Sequence, residues 1–265
     1  MRYTIFWLIY FLFPMGLSAQ KFTASKNLHP FTIYAPELQT TKTIQLYLPS
    51  GYGMSKQKYP VIYMPDGQNL FDTATAFSQE WKIDETLDSL KTKVIVVGIA
   101  GDNDQRFYDL SPYPNAKHGD GNGNNYIRFI AQTLKPYIDT HYSTKANPRN
   151  TLIIGSSLGG LLAYYAVLQY PDVFGKAGVF SPSFSYSEMP YTLTEKTKDI
   201  KAKIYFLAGD SKSDTMVEDI KKMERLLDRS RCYCLMLTKT KIVENGQQNE
   251  KLWREGFAEA LRWLL

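Results

Sequence analysis

Histidine is scarce in this chain of 265 residues. There are three, His29, His118 and His141, and none follows His141. Chemistry that needs an imidazole from the part of the chain after His141 is therefore excluded. Cysteine is rarer still: Cys232 and Cys234 stand at i and i+2 in Arg231-Cys-Tyr-Cys-Leu-Met-Leu237, which reads as a strand with both thiols on one face. A disulfide between them would strain an extended backbone, and two thiols without a nearby histidine make no metal site. Core packing is the expected role, and no stapled framework, metal or cofactor is anticipated. Charge of one sign is lacking too. The 31 Lys and Arg against 26 Asp and Glu leave +5, too mild and too dispersed for a nucleic-acid surface. Repeats, low-complexity tracts and long linkers are absent, so one domain spanning residues 20–265 is expected.

The longest apolar run is at the front. Ile5 to Phe13 follows Met1-Arg-Tyr-Thr and precedes Gly16-Leu-Ser-Ala19, the pattern of a secretory signal peptide over residues 1–19, cleaved before Gln20. Its nine residues fall well short of the ~20 that span a bilayer, so no stable membrane span is expected. Cleavage would remove Arg2 alone among the charged residues, taking the net charge from +5 to +4. The expected location is secreted or periplasmic.

What is present centres on Asn150-Thr-Leu-Ile-Ile-Gly-Ser-Ser-Leu-Gly-Gly-Leu161. Leu152 to Ile154 reads as a short buried strand, Leu161 to Gln169 as a helix. Between them Gly155-Ser-Ser-Leu-Gly159 fits G-x-S-x-G with Ser157 at its centre. Strand, sharp turn and helix is the context in which that pattern becomes a nucleophile elbow. The glycines at i−2 and i+2 leave room where a Cβ would collide, and the helix start aims free N–H groups at the serine.

Around this elbow, Phe31–Ala35 and Thr43–Leu48 alternate apolar and polar residues and read as an antiparallel hairpin. Pro60–Met64, Lys93–Gly98, Ala177–Phe180, Ile204–Leu207 and Cys234–Leu237 read as further strands. Trp81–Leu90, Tyr126–Tyr137, Thr215–Leu227 and Lys251–Leu264 read as helices, and 100–125 as a long polar loop. A leading hairpin followed by alternating strands and helices implies a mostly parallel central sheet with helices on both faces. Its ligand site should lie at the carboxyl ends of the strands.

At this point the residues resemble a known family, the putative-esterase branch of the α/β-hydrolase fold, with its enterochelin, feruloyl and S-formylglutathione esterases. The resemblance rests on Asp66-Gly-Gln-Asn-Leu-Phe-Asp72, Arg106 with Asp109-Leu-Ser-Pro112, Lys135-Pro-Tyr-Ile-Asp139, Gly155-Ser-Ser-Leu-Gly-Gly160, Phe180-Ser-Pro-Ser-Phe184 and Trp253-Arg254. It implies that Ser157 attacks an acyl carbonyl, with the oxyanion held by the N–H of Leu158 and of Gly67 or Gln68. Such donors are worth roughly 3–4 kcal/mol each. It also implies an acid and then a histidine, in that order. Here the family's A-G-x-x-E-S-x-x-M pattern is Ala208-Gly-Asp-Ser-Lys-Ser-Asp-Thr-Met216, with Lys212 at the acid's place. The family's G-x-H-x-E-x-x-W is Gly246-Gln-Gln-Asn-Glu-Lys-Leu-Trp253, with Gln248 at the histidine's place.

A glutamine amide takes no proton near neutral pH, so Gln248 cannot activate Ser157. Losing the histidine from a serine triad costs about six orders of magnitude in turnover. The expectation is therefore an exported pseudo-esterase that binds a small-molecule ester or glycan-ester-like ligand, or a protein partner. The alternative is an active carboxyl-ester hydrolase with an improvised base, His118 from the rim loop or Lys212 with a lowered pKa, and with Asp210 or Asp214 in place of the acid. Trp81, Arg106, Tyr113, His118 and Phe184 are candidate pocket residues, while His29 and His141 read as structural.

Overall fold

A computed structural model describes residues 22–211, 215–230 and 237–265. The signal segment, Lys212, Asp214, Cys232 and Cys234 lie outside the described residues. In chain order the strands are β1 (Leu28–Ala35), β2 (Thr40–Tyr47), β3 (Val61–Pro65), β4 (Ile95–Ile99), β5 (Thr151–Ser156), β6 (Lys176–Phe180), β7 (Lys203–Ser211) and β8 (Leu237–Gln247). The helices are α1 (Ile83–Leu90), α2 (Arg106–Leu110), α3 (Gly123–Phe129), α4 (Lys135–His141), α5 (Leu158–Gln169), α6 (Met189–Lys196), α7 (Met216–Ser230) and α8 (Glu250–Leu264).

One sheet runs β1-β2-β4-β3-β5-β6-β7-β8. The β1–β2 and β2–β4 pairings are antiparallel, and every pairing from β4–β3 to β7–β8 is parallel. Strands β3, β4 and β5 are buried at every residue, which is what apolar runs covered on both faces become. Alternation then sorts their side chains. Val61 and Tyr63 enter the core under α3, α5 and α7, while Ile62 and Met64 enter the one under α1 and α8. Register between β5 and β6 sets Ser156 beside Phe180, so the ends of β3, β5 and β6 open into one crevice. This is an α/β-hydrolase fold with its leading antiparallel hairpin.

Differences from the sequence reading are local. The helix expected over 126–137 extends from Gly123 to His141, with a π-helical turn at Ile130–Leu134 joining α3 to α4. The polar loop before it contains α2. Strand β8 runs ten residues beyond Leu237, through Thr-Lys-Thr-Lys, because an edge strand with one partner needs no continuous apolar run. Among the described residues no helix is long and apolar enough to cross a membrane.

Candidate active site

Ser157 sits between β5 and α5 at φ 55°, ψ −119°, a backbone region that costs a residue with a side chain roughly 1–3 kcal/mol. The turn is tight enough that a Cβ on Gly155 would lie 2.5 Å from the backbone of Gly159. Hydrogen bonds hold the strained residue from both sides. Its N–H donates to the carbonyl of Phe180 at 2.9 Å, and its carbonyl accepts from the N–H groups of Leu161 and Ser183 at 3.0 and 3.2 Å. The hydroxyl of Ser157 meets that of Ser183 at 3.1 Å. The next residue, Leu158, opens α5, whose first N–H groups lack intrahelical partners.

The opposite wall is the turn after β3. Asp66 is left-handed, φ 58°, and Gly67–Asn69 form a single 3-10 turn. Gly67 is pressed so close to β4 that a Cβ would lie 2.7 Å from the carbonyl carbon of Gly98. Arg106 clamps this wall. Its Nε and Nη2 donate to the two Asp66 carboxylate oxygens at 2.9 and 2.8 Å, and Nη2 also reaches the carbonyl of Ser156 at 3.5 Å. Burial by itself would lower the Arg106 pKa, but the Asp66 charge and its hydrogen bonds outweigh that and hold it above the ordinary value. The turn and the elbow are thus joined through one guanidinium. Gln68 turns its side chain away to accept the Gly101 N–H at 2.9 Å.

Between the walls lies a hollow of about 360 Å³. Ser157, Asp66, Asn69 and Arg106 give it a polar side; Trp81, Phe77, Phe107 and Trp253 give it an aromatic one. Trp81 is stacked on Phe180 with centroids 5.7 Å apart and leans on Trp253 at 5.5 Å. Trp253 Nε1 donates to Ser181 Oγ at 3.0 Å, which fixes the ring. Glu250, at the start of α8, also lines the hollow, and its charge reaches Arg106.

A family model described as "Putative esterase" matches residues 35–264. The chain is a member of this esterase family. It is 28% identical over 221 residues to the uncharacterized protein YbbA of Bacillus subtilis, covering 81% of this chain and 79% of that one. Ferri-bacillibactin esterase BesA of Bacillus subtilis is 29% identical over 158 residues, 51% of each chain. Among solved structures, an IroE-like serine hydrolase from Shewanella oneidensis superposes with a TM-score of 0.74 at 20% identity, over 89% of this chain and 79% of that one. That likeness is one of fold.

Against this esterase framework the expected site residues divide. Ser157, Trp81 and Arg106 share the hollow. Gln248 follows the end of β8, is half-buried and makes no hydrogen bond to Ser157. Asp210 is occupied elsewhere, accepting the Asn245 N–H at 2.6 Å. Three pocket expectations need correction. Phe184 is fully buried against Tyr164 and Phe206, because the turn after β6 folds it under α5. Tyr113 is buried edge-on against Tyr165, where loss of hydration raises its pKa. His118 is exposed and stacks on Phe107 and Tyr186, with centroids 4.2 and 6.1 Å away, so it stands on the rim without bonding Ser157. Sequence reasoning missed the roles of Asp66, Ser183 and Glu250. The signals for Glu250 were its place at the glutamate of the G-x-H-x-E-x-x-W pattern and at the head of the last helix.

Proposed function

We propose that this protein is an exported esterase-family member with an impaired proton-transfer pair, which binds a small ester-like ligand in the hollow beside Ser157. One observation carries the reading: among the described residues the side-chain partner of Ser157 Oγ is the Ser183 hydroxyl, with no imidazole beside it. A serine hydroxyl cannot accept a proton near neutral pH, so it orients Ser157 without activating it. The donors for an oxyanion, Leu158 and the turn at Gly67 and Gln68, keep their backbone setting, and a bound carbonyl retains a complementary site. The ligand class follows from the walls. Aromatic surface along one wall suits an ester carrying an aryl or sugar group. The name of the ferri-bacillibactin esterase relative supports a small-molecule ester as ligand. Export is inferred from the leading apolar segment and its small-residue cleavage pattern.

A second reading has one observation in its favour. Glu250 puts a carboxylate in the same hollow, which could serve as an improvised base. Hydrolysis of p-nitrophenyl acetate separates the two. Under the first reading wild type matches Ser157→Ala, and restoring the pair with Lys212→Glu and Gln248→His raises the rate at least ~10²-fold. A wild-type rate clearly above Ser157→Ala refutes the impaired reading. If Glu250→Gln then abolishes that rate, Glu250 is the base.

A further inference from the structure

A second cluster of ionisable groups lies behind the aromatic wall and takes no part in the site above. Glu80, Asp84 and Glu85 each bring a carboxylate oxygen within 4.8 Å of the others. Glu80 is 2% exposed and Asp84 0%, with Glu85 half-buried. On each of them one oxygen is buried with no hydrogen-bond partner: Glu80 Oε1, Asp84 Oδ1 and Glu85 Oε2. The companion oxygens of two are occupied. Glu80 Oε2 accepts from the hydroxyls of Thr73 and Thr23 at 2.7 and 3.2 Å, and Asp84 Oδ2 from the N–H of Ser25 at 2.6 Å.

Among the described residues no cationic side chain is bonded to a carboxylate of the cluster. Arg254 donates only to the backbone carbonyl of Glu80, at 3.0 Å, and Lys82, whose charge reaches Glu80, is exposed. Buried carboxylates with unsatisfied oxygens are costly, and convergent ones repel one another as well. The positive end of α1 offsets part of one charge, not three.

Three convergent hard oxygens with free lone pairs are a coordination set. Oxygens bound to one calcium at about 2.4 Å stand at most ~4.8 Å apart. We propose that Glu80, Asp84 and Glu85 bind a divalent cation, calcium by preference, with water completing its shell. An all-oxygen set selects calcium, magnesium or manganese over zinc or copper, and calcium best tolerates an irregular set drawn from one helix turn and the loop before it. The cation would pin two things. The same carboxylates hold Thr23 and Ser25 of the leading segment, and Trp81, next to Glu80, forms the wall of the hollow.

The test is calcium titration of the purified, EDTA-stripped protein, followed by melting temperature and equilibrium dialysis. Calcium at about a hundredfold excess over its Kd is expected to raise Tm by roughly 5–10 °C, with a single ion bound per chain. Asp84→Asn and Glu85→Gln each remove one charge at constant shape. Each is expected to weaken calcium binding at least ~10-fold and to raise the calcium-free Tm as repulsion is relieved. Glu85→Gln changes a half-buried side chain whose Oε2 has no hydrogen-bond partner among the described residues, so it remains testable even where Asp84→Asn disturbs Ser25. A wild-type Tm that ignores calcium, magnesium and manganese overturns the site. So does a calcium affinity left within about twofold by either variant. A Tm that rises on acidification but not with calcium makes a shared proton the occupant, and equally overturns it.

Discussion

Arg106→Met should destabilise the protein by removing the clamp on the turn that faces Ser157. The substitution keeps most of the aliphatic stem and deletes the guanidinium. Two charge-assisted hydrogen bonds to Asp66 are lost, at 2.9 and 2.8 Å, each worth ~1.5–3 kcal/mol. The Asp66 side chain is 11% exposed, so its carboxylate is left nearly dry and unpaired; removing one partner of a buried pair typically costs ~3–5 kcal/mol. Arg106 is 24% exposed, which admits some water and trims the cost to ~2–4 kcal/mol. For a chain of this size each kcal/mol moves Tm by ~2–4 °C, so a drop of roughly 4–16 °C is expected by calorimetry. Asp66→Asn keeps a side chain that tolerates the left-handed backbone and leaves Arg106 partly bonded, so it should cost less. The double variant should be more stable than the sum of the singles implies, with a coupling of ~1–3 kcal/mol. Single variants within ~0.5 kcal/mol of wild type, or strictly additive ones, would refute the clamp.

Other consequences are as direct. Gly155→Ala places a methyl 2.5 Å from the Gly159 backbone, which cannot yield as a side chain would, so a loss of at least ~3 kcal/mol in urea unfolding is expected; a change under ~0.5 kcal/mol would show a looser elbow. Trp253→Phe deletes the bond to Ser181 Oγ and should cost ~1 kcal/mol while weakening any ligand held against the aromatic wall, read together by unfolding and by fluorescence titration. Hydrogen bonds from Lys241 first, then Lys239, lower the Glu259 pKa from 4.5 to about 2. A lowered carboxyl stabilises the folded state above its unfolded pKa and loses that contribution as pH falls through the folded one. Glu259 is 37% exposed, so the advantage of wild type over Glu259→Gln should be only ~1 kcal/mol near neutral pH and vanish between about pH 4.5 and 2. A gap that persists at pH 2 would contradict the assignment.

How much of this was legible in the chain follows from the range of the interactions involved. The elbow was, because everything that makes it is local: an apolar run, two glycines two residues either side of Ser157, and a helix immediately after. The buried strands β3, β4 and β5 were, since full burial demands unbroken apolar runs. Strand β8 was read only at its first residue, because its Thr-Lys alternation looks like a loop until β7 provides a partner. The pocket aromatics were half legible. Trp81 and Phe184 look alike as letters, yet one stacks at the mouth of the hollow and the other lies under α5.

By itself the sequence determined what chemistry is possible: which side chains exist, and that no imidazole follows His141. Composition and local sterics suffice for that. Only the tertiary structure decided which groups meet. Asp66 and Arg106 are 40 residues apart, Ser157 and Ser183 are 26, and Thr23 and Glu80 are 57. Such pairs have no periodicity and no motif, because their contact is set by strand order and crossover direction rather than by their neighbours in the chain. Whether a carboxylate is solvated, paired or poised for a cation is a property of that packing.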